Sequence, residues 1–83
     1  MKLYKFYAEW CAPCKMLSKV IDEAKDKINV EIVEFDIDAE MMTAINYGVR
    51  SVPMMVLVDE NEKEIKRLNG YVNEEKLLEF LKG

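Results

Sequence analysis

Two rhythms of apolar residues run along this chain. In KLYKFY, residues 2–7, aromatic and aliphatic side chains crowd a short run, the pattern of a strand. From Leu17 the period lengthens. Leu17, Val20, Ile21, Ala24 and Ile28 recur at i, i+3, i+4, i+7 and i+11, which is one face of a long helix. Lys15, Ser18, Lys19, Asp22, Glu23 and Lys27 fall on its polar side. NVEIVEFDID, residues 29–38, is rich in β-branched and aromatic residues and predicts a second strand. AEMMTAINYG, residues 39–48, predicts a short helix stopped by Gly48. MMVLV, residues 54–58, is an unbroken apolar run suited to a central strand. Polar DENE, residues 59–62, predicts a turn, and KEIKRL, residues 63–68, completes a hairpin with Ile65 and Leu68 as its main apolar residues. Gly70 breaks that strand. Asn73 suits the N-cap of a last helix running through Lys82, with Glu74 and Glu75 in its first turn and Lys82 in its last, as the helix dipole favours. Leu77, Leu78 and Leu81 supply the buried side of this helix.

The element order is therefore β-α-β-α-β-β-α, an α/β chain. A right-handed crossover makes the first two strands parallel, and the hairpin makes the last two antiparallel. The expectation is one domain, 1–83, with a four-stranded mixed sheet and its three helices on both faces. Half of the residues are hydrophobic and a third are charged, which is a globular composition. The net charge is −4, and the 12 basic and 16 acidic residues are interspersed. No basic stripe forms, which argues against a nucleic-acid partner. The opening MKLYKFYAEW has no long apolar run, so it reads as neither signal peptide nor membrane span. A cytoplasmic location is expected, where thiols are kept reduced.

The chemistry concentrates in KFYAEWCAPCK, residues 5–15, which holds both cysteines. Pro13 lacks an N–H and fits only the first turn of the long helix. Cys11 then falls at the helix N-terminus and Cys14 one turn on. Unpaired N–H groups and the dipole at that end favour a thiolate on Cys11, and such sites lower a cysteine pKa to roughly 3.5–7.5. Residues three apart face the same side of a helix, within disulfide range. Two other readings stand beside a redox pair. Two structural thiols are one, although a staple across one turn contributes only about 2 kcal/mol by loop entropy. A zinc site is the other. The chain has no histidine, so a second copy or carboxylates would have to complete the ligand set.

AEWCAPCK, residues 8–15, resembles the active-site motif of the thioredoxin family, with Ala12 where most members carry glycine. YGVRSVP, residues 47–53, is similar to the family's segment ending in a cis-proline, and NGY, residues 69–71, to its glycine turn after the hairpin. The resemblance covers nearly the whole chain in matching order, without the extra N-terminal strand and helix of ordinary thioredoxins. It implies a minimal thioredoxin fold and a thiol–disulfide oxidoreductase that reduces protein disulfides. It also implies Cys11 as nucleophile and Cys14 as the resolving thiol. Trp10, Ala12, Pro13, Val52, Pro53 and Gly70 would form the surface that meets substrate, with a cis Val52–Pro53 bond facing the thiols and keeping metal away. No cofactor and no metal are implied. The partners would be disulfide-containing proteins and a thioredoxin-reductase-type electron donor, with the chain a monomer. A glutathione-dependent, glutaredoxin-like enzyme is an alternative. The Gly-Gly plus acidic pattern of glutaredoxins is missing, since Gly70 is followed by Tyr71, Val72 and Asn73. A non-catalytic binding module with this fold is another.

Lys5 breaks the apolar pattern of the first strand, and Glu34 breaks that of the second. A charge midway along a buried strand needs a partner or a route to water. The family usually has a buried aspartate six residues before the first cysteine and a lysine in the adjacent strand, so both signs are exchanged here. The expectation is a Lys5–Glu34 pair behind the thiols. Glu34, or the pair jointly, would then move the proton to and from Cys14.

Overall fold

The structure, a computed structural model, describes residues 1–82. Four strands form one sheet: β1 (Lys2–Tyr7), β2 (Glu31–Asp36), β3 (Met54–Val58) and β4 (Glu64–Asn69). Their spatial order is β2-β1-β3-β4. β1 runs parallel to β2 and antiparallel to β3, which pairs antiparallel with β4. Three α-helices lie among the described residues: α1 (Ala12–Glu23), α2 (Met41–Asn46) and α3 (Glu74–Leu81).

Alternation along the two central strands divides the core. Leu3, Met55 and Leu57 point to one face and pack with Leu17 and Ile21 of α1 and Leu77 of α3. Tyr4, Phe6, Met54, Val56 and Val58 point to the other and pack with Ala44 of α2. β3 is buried along its whole length, as an apolar run between two helical layers should be. Tyr4 sits edge-on to both Phe35 and Tyr47, with ring centroids 5.0 and 5.5 Å away.

Several boundaries differ from the sequence pattern, each for a local reason. The helical rhythm reaches Ile28, but α1 ends at Glu23 and tightens into a 3₁₀ turn over Lys25–Lys27. Ala24 stays buried and Ile28 still packs on the core across that change. β2 is shorter than residues 29–38. Asp36 accepts the Asp38 N–H at 2.9 Å, a side-chain turn that ends the strand. α2 is shorter than residues 39–48, and Gly48 follows it at φ +65°, a conformation that favours glycine. Ile65 is 48% exposed, because β4 is an edge strand and its pairing with β3 shifts register between Leu57 and Val58. Leu78 is half-buried outside the central cluster that Leu77 and Leu81 join. Asn73 caps α3 by accepting the Lys76 N–H at 2.9 Å, and Lys82 is the C-cap residue.

Candidate active site

The cysteine pair lies where β1 hands over to α1. Ala8, Cys11 and Cys14 form a small buried cluster, and Tyr7, Ile37 and Val52 pack against it. Cys11 is the N-cap of α1, with extended backbone at φ −96° and ψ 106°. Its sulfur accepts the Cys14 N–H at 3.1 Å, so one of the unpaired donors of the helix end points at it. Pro13 occupies the first turn, where its missing N–H leaves no bond unmade. The two cysteines are joined as a disulfide with α-carbons 5.2 Å apart, inside the usual range. Both cysteines are buried, while Trp10, Ala12 and Pro13 around Cys11 are exposed.

One further segment borders this cluster, and a second is tied to it. The Val52–Pro53 bond is cis, and Val52 packs against the Ala8–Cys11–Cys14 cluster. Gly70, at φ +91°, donates its N–H to the Pro53 carbonyl at 2.8 Å, which ties the turn after β4 to the proline segment. Trp10 is 69% exposed beside the thiols, with its indole N–H on Asp38 Oδ2 at 3.1 Å. That bond fixes a large apolar ring at the surface rather than in the core.

Lys5 and Glu34 are paired in register across β1 and β2, on the α1 side of the sheet. Lys5 Nζ lies 3.2 Å from Glu34 Oε2. The pair is uneven, since the lysine side chain is 1% exposed and the glutamate 52%. Lys5 Nζ also donates to Ser18 Oγ on α1 and sits 5.5 Å from the centre of the Tyr7 ring. The sequence pattern pointed to neither Ser18 nor Asp38. It placed Ser18 on the polar side of α1, whereas the structure has it half-buried and turned to the sheet. The spacing from Cys14 to Ser18, i to i+4, was the available signal. Asp38, the anchor of Trp10, had none. Burial first, then the carboxylates of Asp36, Glu9 and Glu34, raise the Tyr7 phenol above its usual range. Among the described residues, no group of three or more Cys, Asp or Glu side chains is placed to hold a metal ion.

The thioredoxin family profile matches residues 1–83. The chain belongs to the thioredoxin family. The thioredoxin of Rickettsia conorii is 35% identical over 81 residues, covering 95% of this chain and 76% of its own length. That of Chlamydia muridarum is 38% identical over 80 residues, covering 95% and 78%. Among solved structures, a mutant thioredoxin from Halobacterium salinarum superposes with a TM-score of 0.88 at 32% identity, over 98% of this chain and 71% of the other. Fasciola hepatica thioredoxin gives 0.83 at 34% identity, over 98% and 77%. With its two thiols at disulfide distance on this fold, the chain is a thiol–disulfide oxidoreductase of the protein disulfide reductase type.

Proposed function

We propose that the chain reduces disulfides of partner proteins by a cycle in which Cys11 attacks and Cys14 resolves. One observation carries this order: Cys14 N–H points at the Cys11 sulfur at the start of α1. Negative charge on that sulfur gains from the donor and from the helix dipole, so Cys11 is the better thiolate. Its sulfur attacks one sulfur of the substrate disulfide, and the other substrate sulfur leaves and takes a proton. Cys14 then attacks Cys11 in the mixed disulfide. The Cys11–Cys14 bond forms, the substrate's second thiol is released, and two electrons have passed to the substrate.

Trp10, Ala12, Pro13, Val52 and Gly70 are assigned to the substrate surface, with Pro53, whose side chain is buried, contributing through its backbone. The exposure of Trp10 and Pro13 beside the thiols and the packing of Val52 against the Ala8–Cys11–Cys14 cluster support that reading. An extended substrate segment would lie along the backbone at Val52. Glu34, half in water and paired with buried Lys5, is assigned to carry the Cys14 proton to and from solvent. The chain is taken to work as a single domain and a monomer, in the cytoplasm, with a thioredoxin-reductase-type donor. Supporting the compartment is the need to keep the dithiol reduced. No described helix is long and apolar enough to cross a membrane.

The test is reduction of insulin disulfides with dithiothreitol as electron source. Catalysed precipitation of the insulin chains is expected, and its absence would favour a binding module with an idle disulfide. Replacing dithiothreitol by NADPH with thioredoxin reductase, or by glutathione with its reductase, separates the two donor classes. Support of turnover by glutathione alone would overturn the donor assignment.

A further inference from the structure

Lys5 is, among the described residues, the one charged side chain that is fully buried. A lone salt bridge does not require this placement, because Glu34 is half in water and Lys5 could have met it there. Instead the ammonium group turns toward α1 and donates to Ser18 Oγ. Ser18 follows Cys14 by four residues, so the two side chains are neighbours on one helix face, about 5–6 Å apart at Cβ. Helical side chains lean toward the N-terminus, which tips Ser18 toward Cys14. Tyr7 makes a second connection. It packs on the Ala8–Cys11–Cys14 cluster, and its ring centre lies 5.5 Å from Lys5 Nζ.

We propose that Lys5, held by Ser18, is a positioning residue that places positive charge behind Cys14 and so favours the Cys14 thiolate in the resolving step. The proposal rests on the assignment of Cys14 as the resolving thiol, and it gives the buried charge the sign opposite to an acidic group at the same place. Electrons and atoms balance as in the cycle above. The Cys14 proton goes to solvent, by way of Glu34, and the thiolate displaces the substrate sulfur from Cys11. The charged or titratable groups facing Lys5 are Glu34 from β2 and Tyr7 from β1. From β3 its neighbour is uncharged Met55. On α1, Lys15, Lys19, Asp22 and Glu23 are exposed, leaving Ser18 as its partner there. The Glu34 charge is half in water and screened there, whereas Lys5 is buried, so the lysine dominates the buried side of Cys14.

The size of the effect follows from distance. One hydrogen bond past Ser18 puts the ammonium group on the order of 6–8 Å from the Cys14 sulfur. At an effective dielectric of about 20, that corresponds to a shift of about 1–2 pKa units.

The experiment titrates Cys14 alone, in a Cys11→Ser background, by the NMR shift of ¹³Cβ-labelled cysteine. Adding Lys5→Met is expected to raise the midpoint by about 1–2 units. Ser18→Ala, which leaves the lysine but frees it to swing toward Glu34, is expected to raise it by less, and Ser18→Thr should restore it. A midpoint that stays in place in folded Lys5→Met, or falls, would overturn the proposal, even if stability drops. Should Lys5→Met fail to fold, an unmoved midpoint in Ser18→Ala overturns it equally. The titration needs no turnover. A failed insulin assay therefore strikes the oxidoreductase reading, while an unmoved midpoint with insulin reduction intact strikes this inference alone.

Discussion

Replacing Glu34 by glutamine removes the countercharge of a buried lysine and leaves the shape nearly unchanged. Unit charges 3.2 Å apart attract by about 1.3 kcal/mol in bulk water and about 5 kcal/mol at an effective dielectric of 20. The glutamate side chain is 52% exposed, so screening draws the value toward the lower figure. The glutamine side chain would still offer its amide oxygen to Lys5, and Ser18 Oγ stays in place. The expected loss for Glu34→Gln in the oxidised protein is therefore about 1–2 kcal/mol. For a domain of this size that is roughly 6–12 °C in Tm. Lys5→Met should behave differently. Glu34 is left facing water rather than stranded, and the buried position gains an apolar side chain, so the change should stay within about 1 kcal/mol. Urea unfolding with a common slope measures both. Unchanged stability in Glu34→Gln, with a large loss in Lys5→Met, would refute the reasoning. It would mean that Lys5 is held by Ser18 and packing, with the pair contributing nothing.

Two more outcomes follow from the fold. Burial first, then the hydrogen bond to Glu62 Oε1 at 3.0 Å, pushes the Tyr4 phenol up to about 12. The folded state therefore keeps a proton that the unfolded chain gives up near pH 10. Tyr4's share of stability, present in full below pH 10, should be lost between pH 10 and 12, to a total of about 3 kcal/mol. Tyr4→Phe should flatten that part of the pH–stability curve, leaving the smaller slopes of Tyr7 and Tyr47, which are raised in the same direction. Asn73→Ala should remove the cap on Lys76 N–H and lower stability by about 1 kcal/mol in denaturant titrations, with Asn73→Ser close to neutral.

What the sequence made legible were the features with a local physical cause. The period-3.6 stripe through Leu17 and Ile21, the apolar run of β3 and Pro13 in a first turn each follow from sterics or burial within a few residues. The Lys5–Glu34 pair was legible because two strands, each with a charge midway along it, pair in a register that brings those charges together. Ser18 was not. Its polarity and its place beside charged neighbours read as surface, and only the packing of α1 on β1 turns it inward. Ile65, one of the two main apolar residues of the hairpin strand, lies half in water because that strand is an edge with a register shift. Both placements depend on how elements meet, which periodicity within one element does not encode.

The order of the two thiols is tested most directly by trapping the mixed disulfide. Each single-thiol variant, reduced and mixed with a disulfide-bonded protein such as insulin, is quenched with acid and analysed by mass spectrometry. Cys14→Ser is expected to accumulate a covalent adduct through Cys11, because its N-cap sulfur is the activated one and the resolving thiol is gone. Cys11→Ser is expected to accumulate none on the same timescale, since Cys14 lies within the first turn of the helix and lacks the N-cap position that activates Cys11. Adducts formed through Cys14 in Cys11→Ser, with none through Cys11 in Cys14→Ser, would contradict the assignment on which the cycle is built.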